Sequence, residues 1–264
     1  MAEEFEEGRY LYCVVNAAAA SETDESISMA GIDEEPVSLV TENGVGAVVQ
    51  SCGSPYDTDD LETVRDWLLT HQEVIDTAGE AFGTPLPFRF DTILKGDDER
   101  VRTWLADQHD TLENHLADFA GHWEYRVGVA WDDERVREEL ESDDDELADL
   151  RGRIEEASEG TAFLLEKQYG SRIRDLRQDR KADHTNRLRE ELEPFAREFE
   201  VLDSRQNLLE GSSSDEVVQV GFLAHEDHET DIGSVLDDIA AEPGVEVRFT
   251  GPWPPYSFAP ELDA

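Results

Sequence analysis

Sixty-five aspartates and glutamates stand against 22 lysines and arginines in this 264-residue chain, giving a formal net charge of −43. Self-repulsion on that scale destabilises a compact state in dilute buffer. Two kinds of chain tolerate it: one that stays disordered, and one whose surface charge is screened by concentrated salt. Disorder fits poorly, because the acids lie between apolar periodic segments rather than in one tail. Hydrophobic residues make up 38% of the chain, enough for a core. In molar salt the Debye length falls to about 3 Å, and surface repulsion fades. A surface so rich in acids, with Lys95, Lys167 and Lys181 as its lysines, reads as that of a folded protein of a salt-accumulating cytoplasm.

The same charge argues against nucleic acid as a partner, since phosphate binding needs a basic patch. The densest basic stretch, RIRDLRQDRK (172–181), is laced with aspartate and reads as a solvated helix face. The opening MAEEFEEGRY lacks the apolar run of a signal peptide. No stretch approaches the roughly 20 apolar residues of a membrane span. Cys13 and Cys52 are accordingly expected as reduced thiols.

Periodicity sets the order of elements. RYLYCVVNA (9–17) is an apolar, β-branched run and predicts a strand. Asn43-Gly44 between two apolar runs predicts a hairpin with strands near 37–41 and 45–51. Leu61, Val64, Leu68, Val74, Ile75 and Ala78 trace a helix that stops near Gly83. A strand is expected at about 86–91, limited by its prolines. A second helix carries Val101, Leu105, Leu112, Leu116 and Phe119, and HWEYRVGVAW (122–131) alternates as a strand. From 132 to about 200 the chain is highly charged. Leu147, Leu150, Ile154 and Ala157, then Leu188, Leu192, Phe195 and Phe199, have the spacing of two seams packed antiparallel, with a break at SEGTAF (158–163). A hairpin around GSSSD (211–215), a short helix and a closing strand at VEVRFT follow.

From residue 122 this order is β-α-β-β-α-β, that of a ferredoxin-like unit whose first helix is enlarged into a hairpin. The first half repeats it with that helix shrunken. The expected fold is therefore α+β, with two ferredoxin-like domains at 1–120 and 121–264. The second carries the helical hairpin and the closing GPWPPYSF segment.

Signatures of chemistry are scarce. Phosphate-loop, zinc-ligand and calcium-loop patterns are absent. His225, Glu226, Asp227 and His228 lie at a strand-to-helix junction, where capping explains them. The acid runs at 132–134 and 143–146 match the composition. His71 is expected to pack or hydrogen-bond between helix and sheet. Neither a metal, a cofactor nor a catalytic set is expected. Two stretches exceed what composition predicts: PLPFRFDTIL, with Arg89 between Phe88 and Phe90, and GPWPPYSF, whose prolines forbid a continuing ladder. Its aromatics are expected to pack within the chain rather than to form a free polyproline ligand.

These stretches, with YLYCVV, resemble the gas vesicle protein F/L family. The matching positions are Tyr10, Leu11 and Tyr12; His71 with Val74; Leu86, Pro87, Arg89, Phe90 and Thr92; and Gly251, Pro252, Trp253, Pro254, Pro255, Tyr256, Ser257 and Phe258. GTAFLL (160–165) is similar to the start of the family's long helix. Asp91 departs from the pattern, which has glycine there. The resemblance implies a non-enzymatic accessory or minor structural protein of gas vesicle formation; the family contains F and L types, and the length of the chain leans toward L. It would be cytoplasmic or vesicle-associated, and would contact the hydrophobic shell protein and other accessory gas vesicle proteins. The contrasting reading is a regulatory module that binds a small molecule between paired ferredoxin-like domains.

Overall fold

The computed structural model describes residues 6–18, 29–202, 216–260 and 262. Packing divides the chain into two units, Met1–Glu124 with Pro252–Ala264, and Tyr125–Gly251. Sequence order assigns the closing segment to the second domain; its contacts group it with the first.

The first unit is built on strands β1 (Gly8–Asn16), β2 (Val37–Glu42), β3 (Val45–Cys52), β4 (Leu86–Pro87) and β5 (Ile93–Lys95). They form one antiparallel sheet in the order β2-β3-β1-β4, with β5 also on β1. Asn43 and Gly44 both have positive φ, 52° and 86°, as a two-residue primed hairpin turn requires. A 3-10 turn at Ile32–Glu34 precedes β2; residues 19–28 of that connection lie outside the described residues. β1 and β3 are buried along nearly their whole length because both faces are covered. A register shift between Leu11 and Cys13 turns Tyr10, Tyr12, Cys13 and Val15 to one face. Helix α1 (Leu61–Phe82) lies there, with Val74, Ile75 and Ala78 in the shared core. Helix α2 (Asp98–Phe119) buries the expected stripe of Val101, Leu105, Leu112, Leu116 and Phe119. Asp60 and Asp97 cap the two helices by accepting backbone N–H groups. Leu61, expected on the packed stripe of α1, is instead 82% exposed in its first turn.

The strand expected at 86–91 is shorter. It stops at Pro87, because Phe90 and Asp91 turn before β5 begins. Asp91 sits at φ 63°, so the position does use the left-handed conformation that glycine takes most easily. Its carboxylate also accepts the Tyr56 amide N–H at 2.9 Å. Asp91→Gly should therefore change stability by less than about 1 kcal/mol, relieved strain offsetting the lost bond. Asp91→Val, which has neither advantage, should cost about 2–4 kcal/mol in equilibrium denaturation.

The second unit holds most of β6 (His122–Trp131), then α3 (Asp133–Asp143), α4 (Asp145–Glu156), α5 (Glu159–Leu192), β7 (Ala196–Val201), β8 (Glu216–His225), α6 (Glu229–Ala240) and most of β9 (Val245–Trp253). Its sheet runs β7-β8-β6-β9, the same spatial order as the first sheet and antiparallel like it. Tyr125 stacks between Phe222 and Phe249 across this sheet, at centroid distances of 5.9 and 5.5 Å. The expected turn at 211–215 lies outside the described residues. β9 runs on through Pro252, where the chain was expected to leave the sheet. An edge strand accommodates a proline whose missing N–H faces away from the ladder.

The helical hairpin is made by α4 against the long α5, with the break between Glu156 and Glu159. Leu147, Leu150, Leu165, Leu188 and Leu192 are its buried leucines. Two details differ from expectation. Phe195 and Phe199 do not continue the helix: α5 ends at Leu192, Pro194 has no N–H to extend the ladder, Phe195 lies in the turn and Phe199 enters β7. Asp144 inserts a second break, closing α3 and capping α4 through the Leu147 N–H. The basic stretch 172–181 is also more than a solvated face. Arg172 pairs with Asp144 at 2.6 Å, Arg177 with Asp133 at 2.8 Å and Arg180 with Glu139 at 2.9 Å, lacing α5 to α3 and α4.

Candidate functional site

The motif residues converge in the first unit, on the α1 face of the sheet. Tyr10 and Tyr12 project from β1 with ring centroids 4.9 Å apart. The His71 ring stacks on Tyr12 at 5.5 Å and meets Tyr10 edge-on at 5.6 Å. Phe90 closes the other side of Tyr10 at 6.0 Å, and Tyr56 joins at 5.4 Å with Trp67 behind it. Such tilted and edge-to-face pairs set the ring quadrupoles favourably.

Hydrogen bonds fix the protonation states. His71 Nε2 lies 3.2 Å from the Phe88 carbonyl, an acceptor only, so Nε2 carries the proton. Nδ1 then accepts the Tyr10 hydroxyl at 2.8 Å. The Tyr10 oxygen in turn accepts the Asp91 N–H at 3.3 Å. Burial holds the imidazole neutral and lowers its pKa from 6.5 to about 4, against a smaller opposing effect of the Phe88 bond. Burial likewise pushes the Tyr10 and Tyr12 phenols upward. A second chain runs beside it. Tyr12 donates to Gln50 Oε1 and accepts from the Ile32 N–H, while Gln50 Nε2 donates to the Ile32 carbonyl and to Tyr56. A methyl group at Gly31 would overlap Gln50 and Tyr12, so this crossing needs glycine. Every polar group named here has its partner inside the network, and its rings are packed. The arrangement holds β1, α1 and the 86–95 segment together rather than presenting reactive atoms.

The closing segment docks beside this cluster. Pro254 and Pro255 are buried, while Trp253, Tyr256 and Phe258 are half-buried. Tyr256 packs on the core cluster and donates to Gln72 Oε1 at 3.0 Å. The fully buried Glu124 accepts both the Ser257 N–H at 2.8 Å and its hydroxyl at 2.9 Å. The backbone then turns through bonds from Phe258 and Ala259 to the Pro255 carbonyl. Arg89 and Thr92 border a cavity of about 210 Å³ with Pro87, Phe88, Tyr256, Ala259, Pro260 and Leu262. Leu86 is buried below it, and Thr92 Oγ1 donates to the Arg89 carbonyl. The structure thus brings Tyr10, Tyr12, His71, Leu86, Pro87, Phe90 and Tyr256 into one neighbourhood. It leaves Gly251 and Pro252 exposed on β9.

Sequence reading missed Gln50, Tyr56, Trp67 and Glu124. Gln50 interrupts an otherwise apolar strand, and that was the available signal; Glu124 falls on a regular polar position of the alternation in HWEYRVGVAW, so nothing marked it as buried. The HEDH junction is capping: the His225 ring accepts the Asp227 N–H, and no cluster suited to a metal occurs among the described residues. No helix among the described residues is long and apolar enough to cross a membrane.

Two ferredoxin-like sheets, an arginine-laced helical hairpin and a terminal strap on the first unit define a two-unit α+β protein. The Gas vesicle synthesis protein GvpL/GvpF family matches residues 8–260, so the chain belongs to that family of gas vesicle structural and accessory proteins. It is 44% identical over 258 residues to gas vesicle protein L1 of Halobacterium salinarum, covering 97% of this chain and 91% of that protein. It is 40% identical over 285 residues to gas vesicle protein L of Haloferax mediterranei, covering 97% and 88%. The fold is similar to crystal structures of gas vesicle protein GvpF. That from Anabaena has a TM-score of 0.76 at 20% identity over 98% of this chain and 100% of the other. That from Microcystis aeruginosa has 0.68 at 19% over 96% and 99%.

Proposed function

We propose that this chain is a non-enzymatic accessory or minor structural protein of gas vesicle formation, of the L type. It binds the apolar shell protein and other accessory gas vesicle proteins, in the cytoplasm at the vesicle wall or its site of assembly. Membership of the GvpL/GvpF family supports the process, and the L-named haloarchaeal relatives support the type. The observation that carries the binding role is a contrast on α1. In a chain with 65 acidic residues, Leu61 is 82% and Leu69 53% exposed on this helix, with half-buried Val64 and Leu68 between them. The charged surface around the strip stays hydrated even where salt screens its repulsion, so apolar area is confined to a short patch. A short apolar strip on that body can cover the apolar surface of an unassembled subunit without drawing copies of the protein together.

Binding of this kind is driven by apolar contact and persists when charge is screened. Pairwise measurement against the shell protein should show affinity maintained from low to high molar salt. Leu61→Glu with Leu69→Glu should weaken it by about tenfold or more, because each leucine loses its burial in the complex. Loss of binding on raising salt, with circular dichroism unchanged, would reject the reading.

A further inference from the structure

One helical face departs from the charge balance of the rest of the chain. Phe163, Lys167, Gly170, Arg174, Arg177, Lys181, His184 and Leu188 follow one another on α5 at alternating steps of four and three residues. That is the spacing of a single seam along a helix. At its C-terminal end the seam is covered, with Leu188 and Leu192 buried. The helix is about 51 Å long at 1.5 Å per residue; along the seam His184 packs on Trp131 and Arg177 pairs with Asp133, while Lys181, Arg174, Lys167 and Phe163 stay exposed. Phe163 is 56% and the adjacent Leu164 61% exposed, while Lys167, Arg174 and Lys181 are exposed along the same side. Two of the three lysines of the chain are here.

The other basic side chains of this stretch are committed: Arg172, Arg177 and Arg180 reach Asp144, Asp133 and Glu139. Arg174 and Lys181 have no ion-pair partner among the described residues, and Lys167 stands over the Phe163 ring at 4.8 Å. Asp175, Asp179 and Asp183 recur every four residues and fall on another flank of the helix. A shallow groove of about 520 Å³ runs along the seam, lined by Phe163, Glu166, Lys167, Gly170, Ser171 and Arg174. Gly170 forms its floor. Among the described residues a methyl there would meet only Arg174 Nη1, at 3.8 Å, so none of them asks for glycine at this helix-interior position.

We propose that this face docks an acidic amphipathic helix of a partner protein. An apolar residue of that helix enters the groove beside Phe163 and over Gly170. Carboxylates spaced three and four apart meet Lys167, Arg174 and Lys181. The specificity comes from contact: Lys167, Arg174 and Lys181 are exposed on one side of α5 beside Phe163, with Glu166 as the acid in the groove lining. The proposal is separate from the shell-protein reading, which rests on α1.

The test uses the full chain and a fluorescein-labelled synthetic helix bearing leucines and glutamates at alternating three- and four-residue spacing. A lysine-for-glutamate counterpart and a single-stranded oligonucleotide serve as the other probes. Anisotropy is read in the salt at which the protein is folded; contact pairs lie within the about 3 Å Debye length of molar salt and still attract. The acidic helix alone should bind. Lys167→Glu with Arg174→Glu, and separately Phe163→Ser, should each weaken it about tenfold or more with an unchanged melt, these being the charged and apolar anchors. Equal binding of the basic helix, preference for the oligonucleotide, absence of binding, wild-type affinity in the charge-reversed variant, or self-association abolished by Phe163→Ser would each overturn the proposal.

Discussion

Glu124→Ala should lower the stability of the protein by about 3–5 kcal/mol, since two hydrogen bonds to one buried carboxylate are lost together. Both of these bonds come from Ser257, more than a hundred residues away, so they tie the closing segment to β6. Ser257→Ala, which removes the hydroxyl but keeps the N–H bond, should cost about 1–2 kcal/mol. The double variant should cost less than the sum of the two, because the residues share an interaction. Chemical denaturation of the four proteins in high salt checks this. Unchanged midpoints would mean that GPWPPYSF contributes nothing to the fold and is free to serve as a docking strip. Trp253 is the less informative probe. It is only half-buried, and the enclosed members of the segment are Pro254 and Pro255.

The second large effect is a pH dependence carried by His71. Its folded pKa of about 4 lies below the ordinary 6.5. The unfolded chain therefore takes up a proton first as the pH falls. Stability from the neutral imidazole is complete above about pH 6.5, declines as the pH drops, and is exhausted near pH 4. A difference of that size corresponds to about 3 kcal/mol. The many surface carboxylates also change stability over this range, so the comparison is with His71→Gln. Glutamine offers an acceptor to Tyr10 and a donor to the Phe88 carbonyl but does not titrate. The stability difference between the two proteins should shift in favour of the variant by about 3 kcal/mol between pH 7 and pH 4. A constant difference across that range would show that His71 does not set the dependence.

Much of the fold was legible because it is written locally. The Asn43-Gly44 turn, the α2 stripe and the strand at 122–131 are decided by residues a few positions apart. Element order then pointed to two ferredoxin-like units. What escaped depended on distant partners. Leu61 has the helical phase of a core residue but nothing above it. Asp144 looked like one acid in an acid run, although an aspartate three residues before Leu147 in an apolar-periodic segment is a helix-start signal. Pro194 marked the end of α5, yet the spacing of Phe195 and Phe199 imitated two more helical positions. At the motif cluster, sequence supplied Tyr10, His71, Phe90 and Tyr256 through resemblance. Tyr10 and His71 bond directly, but the partners that complete the network are the backbone carbonyl of Phe88, the backbone N–H of Asp91 and the Gln72 side chain, and backbone groups carry no mark of it in the sequence. The positive φ at Asp91 was the exception, since its substitution for glycine already pointed to the left-handed region.

The strap has a consequence in time. The first unit gathers residues up to Glu124 and then residues from Pro252 onward, and the entire second unit lies between them in the chain. During synthesis, β1, α1 and the hairpin emerge early, while Gln72 and Glu124 wait without Tyr256 and Ser257 until all of residues 125–251 have been made. A nascent or truncated chain thus exposes the Tyr10–His71 neighbourhood with its closing piece missing. Completion of the first unit reports that translation has passed the second.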